Sequence, residues 1–402
     1  MLPMNIKISK KLTKSDFPGE FVDAMLSAST TPNLISFGGG FPNPIAFPIE
    51  DMKKAADKVL EQHGVAALQY HSTAGYAPLR EYIAKRYHRL GVDDVTADEV
   101  IITNGSQQVL DMIGAVLIDP GDEILLENPT YLVALQTFHL YDPKVLTVKL
   151  NGDGVDCDAL SELLKRHSPK VFYTVPTFQN PTGLTYTPQV REKVSSILSG
   201  TDVLLVEDDP YGELRFRGEG GLSFRHYLGE QCCMVGTFSK ILSPGMRIGW
   251  IVCKNELLRK KLIIYKQIMD LHTNIFSQMV LSQYLEDNDL EAHTNQIREL
   301  YAHQSDLMIA AMDKYFPKGC SYTRPDGGMF LWATMPEGIA AVDVQSAALK
   351  RGVLICAGDP FYETERRVRS MRLNYTNSSD EKIEEGIRIL GDVIRELITA
   401  RS

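Results

Sequence analysis

Thr237-Phe238-Ser239-Lys240-Ile241-Leu242-Ser243-Pro244-Gly245-Met246-Arg247-Ile248-Gly249-Trp250 is the stretch on which the reading of this chain turns. It begins at the end of one apolar run, Cys233 to Thr237, and leads into another, Ile248 to Cys253. A lysine therefore stands just after a strand, with hydroxyls on either side at Thr237 and Ser239. Pro244-Gly245 turns the chain back, and Arg247 follows. An isolated lysine at a strand end is ordinarily a solvated charge. Beside a second cation it loses its proton more easily and becomes a nucleophile for carbonyls. The planar guanidinium of Arg247 is matched to a phosphate.

Outward from this stretch, short apolar runs alternate with helical patterns. The runs are Val100–Thr103, Glu123–Glu127, Lys144–Val148, Val171–Val175 and Val203–Glu207, joined by the two already named. They are apolar on both faces, as in a sheet covered by helices on both sides. The alternation predicts a mainly parallel α/β sheet with ligands at the carboxyl ends of its strands. Before it, Leu79, Tyr82, Ile83, Tyr87 and Leu90 make a helical stripe that Gly91 closes. From about Leu290 long helices give way to a smaller strand unit and a helix ending near Thr399. The reading divides the chain into an N-terminal segment, 1–47, packing on the small domain, a large domain, 48–290, and a small α+β domain, 291–402.

Composition narrows the function. The 402 residues carry 42 Lys and Arg against 51 Asp and Glu, a net charge of -9. Such a chain repels phosphates and anionic membranes, which excludes nucleic acid and membrane as partners. The N-terminus lacks a secretory pattern and no run is long enough to span a bilayer, so a cytoplasmic location is expected. The six cysteines show no C-x-x-C spacing and the histidines no H-E-x-x-H, so no metal is expected.

Other motifs sit at strand ends. Thr103-Asn104-Gly105-Ser106-Gln107-Gln108 joins a strand to a helix, whose free N–H groups make an anion site. Asn128-Pro129-Thr130-Tyr131 follows the next strand, and Asn180-Pro181-Thr182-Gly183 another. Glu207-Asp208-Asp209-Pro210-Tyr211 puts three carboxylates before a tyrosine. Each has a plain alternative: an N-capped helix, a core tyrosine, a turn, a solvated acidic loop. Together and in this order they resemble the class I/II aminotransferases, whose lysine signature reads [ST]-x-S-K-x-x-x-x-G-x-R-x-G. The similarity runs from about Leu34 to Thr376 and is greatest to the branch of 2-aminoadipate, kynurenine and aromatic aminotransferases.

This resemblance implies an α/β protein of the PLP-dependent transferase fold type I, with a mainly parallel seven-stranded sheet and a smaller α+β domain. It implies pyridoxal 5'-phosphate (PLP), held by Lys240 as a Schiff base. It assigns the phosphate to Gly105, Ser106, Gln107, Thr237, Ser239 and Arg247. Tyr131 stacks on the pyridine ring, and Asn180 and Tyr211 meet the phenolic oxygen. Asp208, preferred to Asp209 by its spacing from Tyr211, faces the ring nitrogen, where a carboxylate favours the protonated form. Gly39, Gly40, Asn180 and Arg372 meet the substrate, with Arg372, in Met371-Arg372-Leu373-Asn374, clamping its α-carboxylate. Lys240, Asp208 and Tyr211 form the catalytic set. Tyr70, in a Y-x-x-x-x-G element, reaches the phosphate of a neighbouring subunit, which requires a homodimer with shared active sites.

The implied reaction is a ping-pong transfer of an amino group to a 2-oxo acid such as 2-oxoglutarate. No arginine precedes Arg80, and Gly19-Glu20-Phe21-Val22-Asp23 is acidic. Aromatic or other neutral donors are therefore expected, although Lys10, Lys11 or Lys14 leaves a 2-aminoadipate-type enzyme open. A β-eliminating lyase on the same fold is the other alternative. A regulator with an aminotransferase-like domain is disfavoured, because only about thirty residues precede Leu34, too few for a DNA-binding domain.

Overall fold

The computed structural model describes Ser9, Lys11 and residues 33–400. Lys10, Lys14, Gly19–Asp23 and most of the 1–47 segment lie outside the described residues. The described chain opens with β1 (Ile35–Ser36), α1 (Ile49–Ala67) and α2 (Ala77–Arg89). The alternating part runs β2 (Val100–Asn104), α3 (Ser106–Leu117), β3 (Glu123–Asn128), α4 (Leu132–His139), β4 (Lys144–Asn151) and β5 (Gly154–Val155). It continues α5 (Cys157–Leu164), β6 (Val171–Thr174), α6 (Pro188–Leu198), β7 (Leu204–Asp208), α7 (Phe224–Leu228), β8 (Cys232–Thr237) and β9 (Ile248–Val252).

These strands form one eight-stranded sheet, ordered β2-β9-β8-β7-β6-β3-β4-β5. The seven expected runs are all strands, and the two-residue β5 adds the eighth at an edge. Pairing is parallel from β4 through β3, β6 and β7 to β8. β9 is antiparallel to both β8 and β2. All of Val171–Thr174 and Cys232–Thr237 is buried, as strands covered on both faces require. Because β9 runs backwards, its first residues lie at the end of the sheet where β2, β7 and β8 finish. The stripe on α2 is narrower than the sequence suggested: Leu79, Ile83 and Tyr87 are buried, but Leu90 is exposed, since the helix stops at Arg89.

After β9 come α8 (Glu256–Asp270), α9 (Ile275–Asp287) and α10 (Leu290–Tyr315). The second strand unit contains β10 (Ser321–Tyr322), β11 (Phe330–Thr334), α11 (Ala341–Leu349), β12 (Val353–Leu354), β13 (Cys356–Ala357), β14 (Ser370–Asn374) and α12 (Asp380–Thr399). Its antiparallel sheet is ordered β10-β11-β14-β13. On α12, Ile383, Ile387, Leu390 and Ile394 form one buried stripe at helical spacing. β1 pairs in parallel with β12, the Phe37 N–H donates to the Leu354 carbonyl, and the Asn374 N–H donates to the Phe37 carbonyl. That pairing leads Gly38–Gly40 out of the small sheet towards the ends of the large one. Among the described residues no helix is long and apolar enough to cross a membrane.

Candidate active site

Where β8 ends, Lys240 is pinned by its own turn. The Ser239 N–H donates to Thr237 Oγ1 at 3.1 Å, and Thr237 Oγ1 lies 2.9 Å from Ser239 Oγ. Lys240 Nζ donates to the Gly40 carbonyl at 2.9 Å, so the amine reaches across to the N-terminal glycines. Burial, with Arg372 and Arg247 adding repulsion, brings its pKa down to about 8. Arg247 closes the excursion in the left-handed region, at φ 55°.

Opposite stands the start of α3. Gly105 has φ 71°, a conformation that favours glycine, and a Cβ there would come within 2.5 Å of Arg247 Nη2. Gly249 is needed for closeness: a Cβ on it would sit 2.4 Å from the Ser106 nitrogen. The turn carrying Ser106 and Gln107 thus rests on the backbone of β9 with Arg247 alongside. Free helix N–H groups, a guanidinium and two hydroxyls face one end of a cavity of about 490 Å3.

The carboxylates of β7 separate by strand alternation. Asp208 lines the cavity; Glu207 turns away to pair with Arg191 at 3.1 Å, and Asp209 accepts from the Gly212 N–H at 2.7 Å. The Tyr173 hydroxyl donates to Asp208 Oδ2 at 2.7 Å, while Oδ1 is buried without a hydrogen-bond partner. Burial pushes this carboxyl up to about 7 despite the Tyr173 bond. On the far side, Arg372 Nη1 donates to Asn180 Oδ1 at 2.8 Å and Nη2 to the Gly38 carbonyl at 2.7 Å. Its Nε is a buried donor with no hydrogen-bond partner. The guanidinium lies over the rings of Phe330 and Phe361, 4.3 and 5.1 Å from their centroids. Asn180 Nδ2 donates to the Tyr211 hydroxyl at 3.4 Å, which links the clamp to Tyr211.

The structure therefore gathers Gly39, Gly40, Ser106, Gln107, Tyr131, Asn180, Asp208, Tyr211, Thr237, Ser239, Lys240, Arg247 and Arg372 around one cavity, with Gly105 behind Arg247. Tyr70 is not among them; it is 78% exposed, with its ring 6.0 Å from that of His272. Phe41, Leu132, Val133, Tyr173 and Phe330 also line it and were not singled out in the sequence. Tyr173 had a signal: on β6 it pairs with Val206, two residues before Asp208 and on the same face of β7.

Comparison with known proteins identifies the family. Residues 35–390 match the family model described as aminotransferase class I and II. The chain is 41% identical over 378 residues to an aromatic-amino-acid aminotransferase of Thermococcus litoralis, covering 92% of this chain and 90% of that one. It is 39% identical over 380 residues to a 2-aminoadipate transaminase of Thermus thermophilus, covering 93% of each. The crystal structure of Pyrococcus horikoshii kynurenine aminotransferase, in complex with PMP, KYN as substrates and KYA as products, superposes with a TM-score of 0.89. The identity is 38%, over 99% of this chain and 96% of that one.

Proposed function

The chain belongs to the class I and II aminotransferases, and from that premise we propose that it moves the amino group of an aromatic or other neutral amino acid to a 2-oxo acid such as 2-oxoglutarate. Pyridoxal 5'-phosphate is the cofactor. The donor set fits it: an uncommitted buried acceptor at Asp208 Oδ1, a lysine of lowered pKa, and a glycine-lined anion cradle between α3 and Arg247. When bound, it supplies an aldehyde carbon for amine exchange and a ring that accepts electrons from the substrate Cα.

In this reading the chain's residues divide the work. Ser106, Gln107, Thr237, Ser239 and Arg247 hold the phosphate, with Gly105 shaping the turn, and Tyr131 stacks on the ring. Asp208 keeps a proton on the ring nitrogen; Tyr173 restrains one of its oxygens so that the other stays available. Asn180 and Tyr211 take the phenolic oxygen. Arg372 binds the substrate α-carboxylate beside Asn180, with Gly39 and Gly40 closing over it. Lys240 Nζ would then move the proton at the substrate Cα as base and acid, and its lowered pKa suits that task.

The observation that carries the choice of donor is the count of cations. Among the described residues, the arginines lining the cavity are Arg247 and Arg372, and both are engaged in this reading. Phe41, Leu132, Val133 and Phe330 offer apolar surface instead. Burying it against a large side chain contributes about 25 cal/mol per Å2. A distal carboxylate would lose hydration with no arginine to meet it. The Thermus relative keeps a second reading in play, in which a lysine of the first residues receives 2-aminoadipate. The test is kcat/KM across aromatic, aliphatic and dicarboxylic donors with one acceptor. Phenylalanine, tyrosine, leucine or methionine should lead. A preference of about a hundredfold, or roughly 2.7 kcal/mol, for aspartate or 2-aminoadipate over every neutral donor would install the second reading.

We read residues 48–290 as the cofactor domain and 291–402 as the small domain, with 1–47 packed on the latter; the β1–β12 pairing supports the last point. We also read the enzyme as a cytoplasmic homodimer. Six free cysteines fit a reducing compartment. Val65, Leu68, Tyr70 and Ile268, each about three-quarters exposed or more, fit a face that a second copy covers.

A further inference from the structure

Beneath the turn that carries Ser106 and Gln107 lies a polar cluster that the reaction does not use. Lys266, on α8, has a fully buried side chain. Its ammonium donates to Gln108 Oε1 at 3.0 Å, to Asp270 Oδ2 at 2.9 Å and to Thr273 Oγ1 at 3.0 Å, so its three donors have three partners. Asp270 Oδ2 also accepts from Asn104 Nδ2 at 2.6 Å and from Gln108 Nε2 at 2.8 Å. Gln108 Oε1 accepts in turn from the backbone N–H of Asn104 at 2.9 Å. The Asn104 carbonyl takes a donation from Arg247 Nη2 at 3.3 Å. The N–H, the carbonyl and the side-chain Nδ2 of Asn104 are thus tied, and Gly105 and Ser106 follow it directly.

We propose that Asp270, paired with Lys266, is a positioning residue for the cofactor phosphate. It makes no contact with the phosphate; it fixes Asn104 so that the N–H groups of the next residues already point at the anion. Ordering a loose turn at the moment of binding would cost conformational entropy, and a turn fixed beforehand avoids that loss. The charge pair is suited to the task because a buried ammonium enforces the orientation of every acceptor around it. Asp270 ends α8, and Leu271 after it takes φ 61°, so the helix stops where the carboxylate must reach β2.

The inference rests on the PLP reading, and the experiment separates the two. Cofactor is stripped from the purified enzyme, and wild type, Asp270→Asn and Asn104→Ala are titrated with PLP and with pyridoxal, which lacks the phosphate. Binding is followed by absorbance. Both variants should weaken PLP about tenfold, or about 1.4 kcal/mol, and change pyridoxal by less than about twofold. Equal losses for the two ligands, or an unchanged PLP affinity, would overturn the proposal. Asn104→Ala deletes only the amide link, so it decides the matter if Asp270→Asn leaves Lys266 unpaired and does not fold. A wild-type chain that takes up no PLP would instead count against the functional reading itself.

Discussion

Lys240 is partly buried and feels the charges of two guanidinium groups, and its reactivity follows from that setting. Its pKa is lowered to about 8, first by burial and then by Arg372 and Arg247. A lowered pKa means that the neutral, nucleophilic amine becomes the major form above about pH 8 rather than above the ordinary lysine value of about 10.4. The rate at which cofactor-free enzyme captures the aldehyde of PLP should therefore rise with pH through about 8 and level off above it. Arg372→Leu should move that midpoint upward. Stopped-flow absorbance across pH tests this, and borohydride reduction with peptide mapping tests the site. A midpoint near that of free lysine, or a pyridoxyl group on another residue, would remove Lys240 from the role. At this scale the sequence was informative where chemistry is local: Thr237, Ser239, Lys240 and Arg247 lie on one excursion. It was silent on Phe330 and Phe361, since their approach to Arg372 is created by β11, β14 and the segment after β13. No spacing along the chain encodes a ring stacked on a guanidinium.

Among the elements, β9 sets the precision of the site. It runs antiparallel between β2 and β8 and lies so close under the start of α3 that Gly249 has no room for a Cβ. Gly249→Ala is expected to force α3 away from Arg247. The cost should be about 1–3 kcal/mol, as for other overpacked sites, together with weaker PLP binding. Gly152→Ala, where a Cβ meets nothing within 4 Å, should stay within about 0.5 kcal/mol. Urea unfolding with a parallel cofactor titration measures both. The seven main strands were legible because each is a short apolar run between helical patterns, and all but β4, which is largely half-exposed, are buried on both faces. β5 was not, because two residues of edge pairing at Gly154–Val155 leave no periodicity to read. The direction of β9 was equally hidden, since an apolar strand looks the same in either sense. Only its close sequence distance from β8, with the turn at Pro244-Gly245, hints at a return.

For the molecule as a whole, the residue left outside the cavity is the most telling. Tyr70 lies on an exposed face, and its expected role needs a second copy. Inactive Lys240→Ala enzyme mixed with inactive Tyr70→Ala enzyme, after subunit exchange, should regain about a quarter of wild-type activity. Half of randomly paired dimers would be mixed, and each would hold one intact site of two. Full activity in a monomer, shown by sedimentation at working concentration, would defeat the shared site. The two grips proposed for the reacting molecules also differ in origin. Lys240 and Arg247 belong to one excursion between adjacent strands of the large sheet, whereas Arg372 stands on the small one. Any hinge between the sheets would change the hold on the amino acid and leave the hold on the cofactor as it was. On that reading the cofactor can stay seated while one product leaves and the next 2-oxo acid enters, as a ping-pong exchange requires.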